Sequence, residues 1–389
     1  MSIAVISRRG VERVRGGHPW VYRSDVVSVD GEPGDLVRVL TERDKPVGWA
    51  FWSEASQISL RMFAGPSADE RLDERQLFAV RLRQANDYRA SLGIDGTARR
   101  LVHGEADRLP ALIVDKYADW LVIQTLNQGM DRRMGMIVEL LVELIRPRGI
   151  LARNDPRVRA LEGLEERVDV VFGEVPDTVE VTEGRIRHVV DLRHGQKTGL
   201  FLDQQENHAA AARYARGRAL DAFSYLGGFA LQMAARCESV LAIDSSAPAV
   251  AAIREGAERN GISNIEAREA NVFDELRELE ISGERFQTIV LDPPAFARNK
   301  SAVERAVAGY KEINLRAMKL LDSGGCLITC SCSYNIPEPL FAAILEDAAH
   351  DARVTIALTE KRMQSRDHPV LVGVPETHYL KCFILRKVA

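Results

Sequence analysis

The stretch ALDAFSYLGGF, residues 219–229, decides the fold. Its first part predicts a strand that ends near Asp221, and the pair Gly227-Gly228 predicts a sharp turn that opens a helix. The G-x-G-x-x-G fingerprint of dinucleotide-binding loops is absent, and a carboxylate at this place would repel a pyrophosphate. Asp221 instead suits a ligand that carries an ammonium group. A purely structural turn between strand and helix is an equally good interpretation of this motif alone.

From about residue 191 onwards, predicted strands alternate with predicted helices. The strands are expected at residues 218–223, 239–243, 264–268, 288–291 and 326–330. Helical stretches such as residues 247–260 and 301–321 lie between them. This alternation predicts βαβ units and an α/β fold with a doubly wound, mostly parallel sheet. Ligands of such sheets bind beyond the carboxyl ends of the strands, so chemistry is sought there.

Polar residues follow the second and third predicted strands. Asp244 ends the run VLAID about twenty residues after the motif that contains Asp221, where an acid can accept both ribose hydroxyls of a nucleoside. A plain helix cap is the alternative for Asp244. Asn271 ends the third strand and could bind an adenine amine, but a turn or a helix cap explains it at least as well.

An acid, Asp292, and two prolines directly follow the fourth predicted strand, in the run IVLDPPAF. Proline fixes φ and lacks an N–H, so this loop is stiff and its carbonyl groups are available as acceptors. Such a rigid acceptor cluster suits a flat heterocycle with amine hydrogens. The alternative is a rigid loop without a ligand.

The fifth predicted strand ends in a small polar loop that contains two thiols, Cys330 and Cys332. Cys332 should lie past the strand end, beside Asp292, where a thiol can act as a nucleophile. Cys330 remains the alternative nucleophile, because the two thiols are only two residues apart. No second cysteine cluster and no nearby histidine completes a metal site, so no metal is expected.

The chain before residue 191 predicts two further domains. Short strands with alternating apolar and polar residues predict a small β-barrel over residues 1–66. Mixed helix and strand signals predict a central α+β domain over residues 67–190, which leaves residues 191–389 for the α/β domain. Arginines within residues 8–25 give a local charge of +3, with Trp20 and Tyr22 between them, which could bind RNA. A solvated face with core aromatics is the alternative.

The composition is that of a globular protein, with 46% apolar and 28% charged residues. The net charge of −4 gives no general attraction for nucleic acid, so any such binding needs a local patch. No apolar run is long enough to span a bilayer, and no secretory signal is visible at the amino terminus. Five cysteines do not form a disulfide framework. We therefore expect a cytoplasmic protein without a membrane partner.

Taken together, these motifs resemble those of the S-adenosylmethionine-dependent class I methyltransferases. More narrowly, they are similar to the bacterial family that forms 5-methylcytosine in large-subunit (23S) ribosomal RNA. The segments that carry the resemblance are GHPWVY at residues 17–22, HGQKTG at 194–199, FLDQ at 201–204, FSYLGGF at 223–229, LDPPAF at 291–296, TCSCS at 329–333, HPV at 368–370 and PET at 375–377, together with Asp244. It implies a Rossmann-like catalytic domain that follows an N-terminal PUA-type RNA-binding barrel.

The resemblance also implies the cofactor S-adenosyl-L-methionine and a set of site residues. It implies Cys332 and Asp292 as catalytic residues. The residues that it and the motifs assign to the cofactor are Gln204, Asp221, Phe223, Ser224, Tyr225, Gly227, Asp244, Ser245, Asn271 and Asp292. Asn271 stands where most members of the family carry an aspartate. Ala295 stands where another group of RNA cytosine methyltransferases carries a second cysteine, so a different base must remove the ring proton.

The expected reaction is methylation of cytosine carbon 5 in 23S ribosomal RNA, through addition of the Cys332 thiolate to carbon 6. The expected partners are this RNA or a precursor of the 50S subunit, and a homodimer is possible. Two other functions stay open. One is methylation of a guanine or adenine amine, and the other is a non-catalytic RNA-binding assembly factor.

Overall fold

The structure is a computed structural model that describes residues 2–66, 73–195, 197–297 and 299–388. The chain forms two compact units. Unit 1 comprises Met1–Val181, Val189–Leu202 and Asp367–Thr377, and unit 2 comprises Thr182–His188, Asp203–Arg366 and His378–Ala389. The predicted division at residues 66/67 and 190/191 stays a prediction, and residue 67 lies outside the described residues.

The amino-terminal part of unit 1 is a six-stranded sheet with one helix. Its elements are β1 (Ile3–Ile6), α1 (Arg8–Arg15), β2 (Trp20–Tyr22), β3 (Val26–Asp30), β4 (Leu36–Thr41), β5 (Pro46–Trp52) and β6 (Ile58–Ala64). The strands pair in the order β2-β6-β5-β4-β1-β3, and only the β1–β4 pair is parallel. The alternating apolar side chains that predicted these strands form a shared core, which includes Ile6, Val37 and Leu60.

The second part of unit 1 is a five-stranded sheet covered by helices. Its elements are α2 (Glu74–Ser91), β7 (Ala98–His103), β8 (Leu112–Tyr117), β9 (Trp120–Thr125), α3 (Gln128–Arg132), α4 (Met134–Ile145), β10 (Gly149–Asn154) and β11 (Arg167–Gly173). The strand order is β11-β10-β9-β8-β7. Helix α4 has apolar residues on one face, and Ile137 and Leu141 from that face are buried against strand residues such as Ile123. A separate two-stranded sheet follows, with β12 (Thr178–Glu183) and β13 (Ile186–Asp191).

Unit 2 contains a seven-stranded sheet with helices on both faces. Its elements are α5 (Gln205–Tyr214), β14 (Gly217–Ala222), α6 (Gly228–Ala234), β15 (Cys237–Asp244), α7 (Ala247–Arg259), β16 (Ile265–Glu269), α8 (Val272–Ile281), β17 (Phe286–Leu291), α9 (Val303–Leu320), β18 (Leu321–Ser331), α10 (Glu338–Ala352), β19 (Ile356–Arg362) and β20 (Lys381–Lys387). The order is β16-β15-β14-β17-β18-β20-β19. Strands β14 to β18 are parallel, and β20 is antiparallel to both neighbours.

Alternation along the central strands produces the two faces of this sheet. Ile289 and Leu291 belong to the core shared with α8, α9 and α10, whereas Val290 between them belongs to the core shared with α5, α6 and α7. Continuous apolar runs are typical of parallel strands that are buried on both faces. The predicted α/β fold is therefore confirmed for unit 2, and the carboxyl ends of β14, β15, β17 and β18 lie along one edge.

Candidate active site

The loop between β14 and α6 has an unusual backbone. Phe223, Tyr225 and Gly227 have φ values of 66°, 50° and 79°, which lie in the left-handed region. For two non-glycine residues this conformation is costly, and it persists only when hydrogen bonds hold it. Ser224 supplies two of these bonds, since its N–H donates to the carbonyl of Ile243 (3.0 Å) and its hydroxyl to that of Asp221 (2.8 Å).

Asp221 is fully buried behind this loop. Its Oδ2 accepts a hydrogen bond from the Ala230 N–H at 3.0 Å, while its Oδ1 has no hydrogen-bond partner among the described residues. Burial raises the pKa of Asp221 to about 6, against the lowering effect of its hydrogen bonds. A buried carboxylate with a vacant acceptor is an attractive partner for a ligand cation.

The carboxylate of Asp244, at the end of β15, is fixed by two backbone groups. Tyr225 N–H donates to Oδ2 and Ser246 N–H donates to Oδ1, both at 2.9 Å. Each oxygen keeps capacity for a further donor, such as a hydroxyl of a ligand. Ser245 is exposed beside it, and Ser246 caps helix α7 by accepting from Ala249 N–H.

Asn271 is the N-cap of helix α8. Its Oδ1 accepts from the Phe273 N–H at 2.9 Å, and the residue is exposed. This is the helix-cap role that the sequence also allowed. A contact with an adenine amine stays a prediction.

Asp292 follows β17 and is partly buried. Its Oδ1 accepts from Gln204 Nε2 at 2.9 Å. Gln204 is itself held, because its Oε1 accepts from Asn207 Nδ2 (2.7 Å) and Asn207 Oδ1 accepts from Arg362 Nε (2.9 Å). The structure thus places Gln204 against Asp292, where it orients the carboxylate.

The two thiols that the sequence left in competition have different surroundings. Cys330 is fully buried, lies opposite Cys382 in the β18–β20 pair, and has a pKa raised well above its usual value by burial. Cys332 is the first residue past the end of β18 and is only half-buried. Its Sγ lies 3.9 Å from the carbonyl oxygen of Pro293. The structure therefore brings Cys332 to the loop that carries Asp292.

Side chains behind these two loops hold them together. The hydroxyl of Ser333 accepts from the Ala297 N–H at 3.2 Å and lies 3.0 Å from the Tyr310 hydroxyl. Phe296 packs on Tyr310, with ring centroids 4.7 Å apart, and also contacts Phe273. The Asp292 loop and the Cys332 loop are thus fixed to the same buried residues.

Lys381, which the sequence analysis missed, lies next to this site. The residue is 3% exposed, and its Nζ donates to the carbonyls of Ser333 (2.8 Å) and Tyr379 (2.9 Å). Burial lowers the pKa of Lys381 to about 8, while the charges of Cys332 and Glu338 act to raise it. A lysine inside the apolar run of β20 was the available signal, because lysine is seldom buried.

The amino-terminal arginines are partly neutralised within unit 1. Arg9 and Arg13 both pair with the buried carboxylate of Asp25, and the Arg13 guanidinium covers the Tyr22 ring at 4.6 Å. Trp20 Nε1 donates to Glu105 at 2.8 Å. Two of the arginines are therefore engaged with Asp25, whose charge the local value of +3 already includes.

In residues 2–66, 73–195, 197–297 and 299–388, no cluster of three or more metal-ligating side chains is found. Over the same residues, no helix is both long and apolar enough to cross a membrane.

Comparison with known proteins identifies the family. Residues 148–385 match the S-adenosylmethionine-dependent methyltransferase family, and residues 5–64 match the PUA-like domain. The chain belongs to the S-adenosylmethionine-dependent methyltransferases. This methyltransferase is 36% identical to the ribosomal RNA large subunit methyltransferase I of Erwinia tasmaniensis, with 100% of each chain covered. It is 38% identical to the protein of the same name from Aeromonas hydrophila, with 99% of this chain and 100% of the relative covered.

Solved structures agree with the methyltransferase fold. The crystal structure of SMU.776 complexed with SAH has a TM-score of 0.85 at 20% identity and covers 99% of this chain and 100% of that one. The SAM-dependent methyltransferase of Agrobacterium tumefaciens has a TM-score of 0.54 at 15% identity, over 75% and 91%. At these identities the likeness establishes the fold alone.

The residues of the β14–α6 region fit the cofactor of this methyltransferase family. S-adenosylmethionine presents an ammonium group and a ribose with two hydroxyls. The buried Oδ1 of Asp221 is an acceptor of the right charge for the first, and the fixed carboxylate of Asp244 is an acceptor pair for the second.

Proposed function

We propose that this methyltransferase forms 5-methylcytosine in large-subunit (23S) ribosomal RNA through a covalent bond between Cys332 and carbon 6 of the base. The half-buried thiol of Cys332, 3.9 Å from the carbonyl oxygen of Pro293 and thus beside Asp292, carries this proposal. The RNA target is supported by the full-length relatives, which are named ribosomal RNA large subunit methyltransferases.

The thiol overcomes the low nucleophilicity of cytosine carbon 5. When the Cys332 thiolate bonds to carbon 6, the electron pair of the 5,6 double bond becomes available at carbon 5, as in an enamine. S-adenosylmethionine, when bound, supplies an electrophilic methyl group for that carbon. Loss of the carbon 5 proton to a base then restores the double bond and expels the thiolate.

Asp292 acts on the opposite part of the ring. Its carboxyl group would hydrogen-bond the ring nitrogen or the exocyclic amine of cytosine and stabilise the covalent adduct. Gln204 donates to Oδ1 of this carboxyl group at 2.9 Å and so fixes its orientation in the loop. The rigid Pro293-Pro294 segment limits movement of the loop during the reaction.

The cofactor would be held by the β14–α6 loop and the neighbouring strand ends. Asp221 binds the ammonium group and Asp244 binds the ribose hydroxyls in this proposal. The other residues proposed to line the cofactor site are Phe223, Ser224, Tyr225, Gly227, Ser245, Asn271, Asp292 and Gln204.

Replacing Asp244 with alanine should weaken S-adenosylmethionine binding by about 10- to 100-fold, because hydrogen bonds to a charged group are lost. Isothermal titration calorimetry measures this affinity directly. Glu255→Ala, which removes an exposed carboxylate from α7, is the matched control and should bind like the wild type. Equal affinity in the Asp244 variant would remove Asp244 from the cofactor site.

The packing of Phe296 disfavours methylation of a base amine. Such enzymes usually place an aromatic residue directly after Asp-Pro-Pro to stack on the base. Here Ala295 holds that position, and the ring of Phe296 packs against Tyr310, Phe273 and Phe223. Because the ring of Phe296 packs against these side chains, it is not placed to stack on a base.

The function is tested by mass spectrometry of nucleosides from 23S RNA of cells with and without the gene. One 5-methylcytidine should be lost with the gene and restored by a plasmid copy. Loss of an N-methylated guanosine or adenosine would instead support the amine alternative, and an unchanged profile would support an assembly factor. Assays of the purified enzyme with naked 23S RNA and with 50S precursor particles identify which of the two is the substrate. Light scattering tests whether the protein forms a homodimer.

A further inference from the structure

Lys381 is held beside Cys332 by the pairing of two strands. Strands β18 and β20 are antiparallel, and Lys381 lies opposite Ser331, the residue before Cys332. The lysine side chain is almost fully buried, and its neighbours Leu380 and Cys382 are buried as well. The position of the ammonium group is fixed at the carbonyls of Ser333 (2.8 Å) and Tyr379 (2.9 Å).

The charge of this ammonium group is not neutralised by a carboxylate. Within the described ranges of the chain, no Asp or Glu makes an ion pair with Lys381. The negative charge of Glu338 acts on Lys381, but Glu338 is paired with Lys361 at 2.6 Å. A buried charge is costly unless an opposite charge or several hydrogen bonds compensate it. The sulfur of Cys332 is the other group whose negative charge acts on Lys381.

We infer that Lys381 is a positioning residue for the nucleophile, whose buried ammonium group stabilises the Cys332 thiolate. This inference rests on the proposed role of Cys332 in the reaction. The ammonium group donates two of its hydrogens to the carbonyls of Ser333 and Tyr379, and these bonds fix its position. A thiolate stabilised in this way attacks at neutral pH, where an ordinary thiol is mostly protonated.

In the part of the chain that the structure describes, the other titratable groups next to Cys332 are not cations. Tyr310 on α9 has a pKa raised to about 12 by burial and is neutral at pH 7. Cys330 on β18 is kept protonated by burial, and Asp292 on the facing loop is acidic. Burial lowers the pKa of Lys381 to about 8, so the ammonium form still predominates at pH 7.

The test measures the rate of Cys332 alkylation by iodoacetamide against pH, by mass spectrometry of the Cys332 peptide. In Lys381→Met, the midpoint of the alkylation profile should rise by about one pH unit, so that the rate near pH 7 falls about tenfold. Lys381→Arg should return most of the reactivity, since it keeps the charge. Cys237, whose pKa is raised to about 11 by burial, is the internal reference and should react alike in all variants.

Lys381→Gln is a second neutral variant that can still donate to the two carbonyls. It allows the test to be made even if Lys381→Met does not fold. Circular dichroism and thermal unfolding check that each variant is folded. An unshifted profile in a folded neutral variant would overturn the inference. The proposed function is tested separately, by measuring methyl transfer in Cys332→Ala, where retained activity would contradict it. The alkylation profile of Cys332 reports the influence of Lys381 and does not depend on that measurement.

Discussion

Replacing Cys332 with alanine should reduce methyl transfer to 23S RNA by about 10⁴-fold or more in single-turnover assays. Without the thiolate no bond to carbon 6 forms, and carbon 5 stays a poor nucleophile. Cys332 is not among the residues proposed to bind the cofactor, so the variant should bind S-adenosylmethionine with the wild-type affinity. A covalent protein–RNA complex that survives denaturing gel electrophoresis should form with the wild type and be absent from the variant.

Two other cysteines give matched controls for this experiment. Cys330→Ala removes the alternative thiol, which is buried opposite Cys382 and has a pKa raised by burial. It should lose some stability, since a core atom is removed, but keep most of its activity. Cys237→Ala changes a half-buried cysteine at the start of β15 and should be neutral. Full activity in Cys332→Ala together with loss of activity in Cys330→Ala would show that Cys330 is the nucleophile.

The strand-end motifs could be predicted from the sequence because local rules decide them. Period-2 and period-3.6 patterns mark strands and helices, and parallel strands bring their carboxyl ends to one edge. Asp244, Asp292 and Cys332 were proposed as site residues in this way, and the structure places them at the ends of β15, β17 and β18. The sequence already favoured Cys332 over Cys330, but the different surroundings of the two thiols needed the structure, because spacing alone leaves strand ends uncertain by a few residues.

Long-range contacts explain what the sequence did not reveal. Strands β19 and β20 come after the alternating pattern, and their antiparallel pairing depends on partners distant in the chain. The apolar run around Lys381 indicates burial, but only the pairing of β20 with β18 brings this residue to the site. Helix α1 was missed because arginines surround its buried residue Val11, so the segment was interpreted as a charged RNA-binding stretch.

Replacing Asp292 with asparagine should lower the rate of methyl transfer by about 10²- to 10⁴-fold, the usual contribution of a positioned acid or base group. An amide of the same size can still accept from Gln204 Nε2, so the loop should keep its shape. The charge and proton that stabilise the adduct are lost, however. Rapid-quench measurement of methyl transfer at saturating RNA and cofactor isolates this chemical step from binding.

Gln204→Ala tests whether the carboxyl group of Asp292 must also be oriented. This variant removes the hydrogen bond of 2.9 Å but leaves the acid itself, so a loss of about tenfold is expected, smaller than that of Asp292→Asn. The two effects should not add in the double variant, because Gln204 acts through a group that is then already missing. Additive losses would mean that Gln204 serves the cofactor rather than Asp292, which is the role that the sequence resemblance gave it.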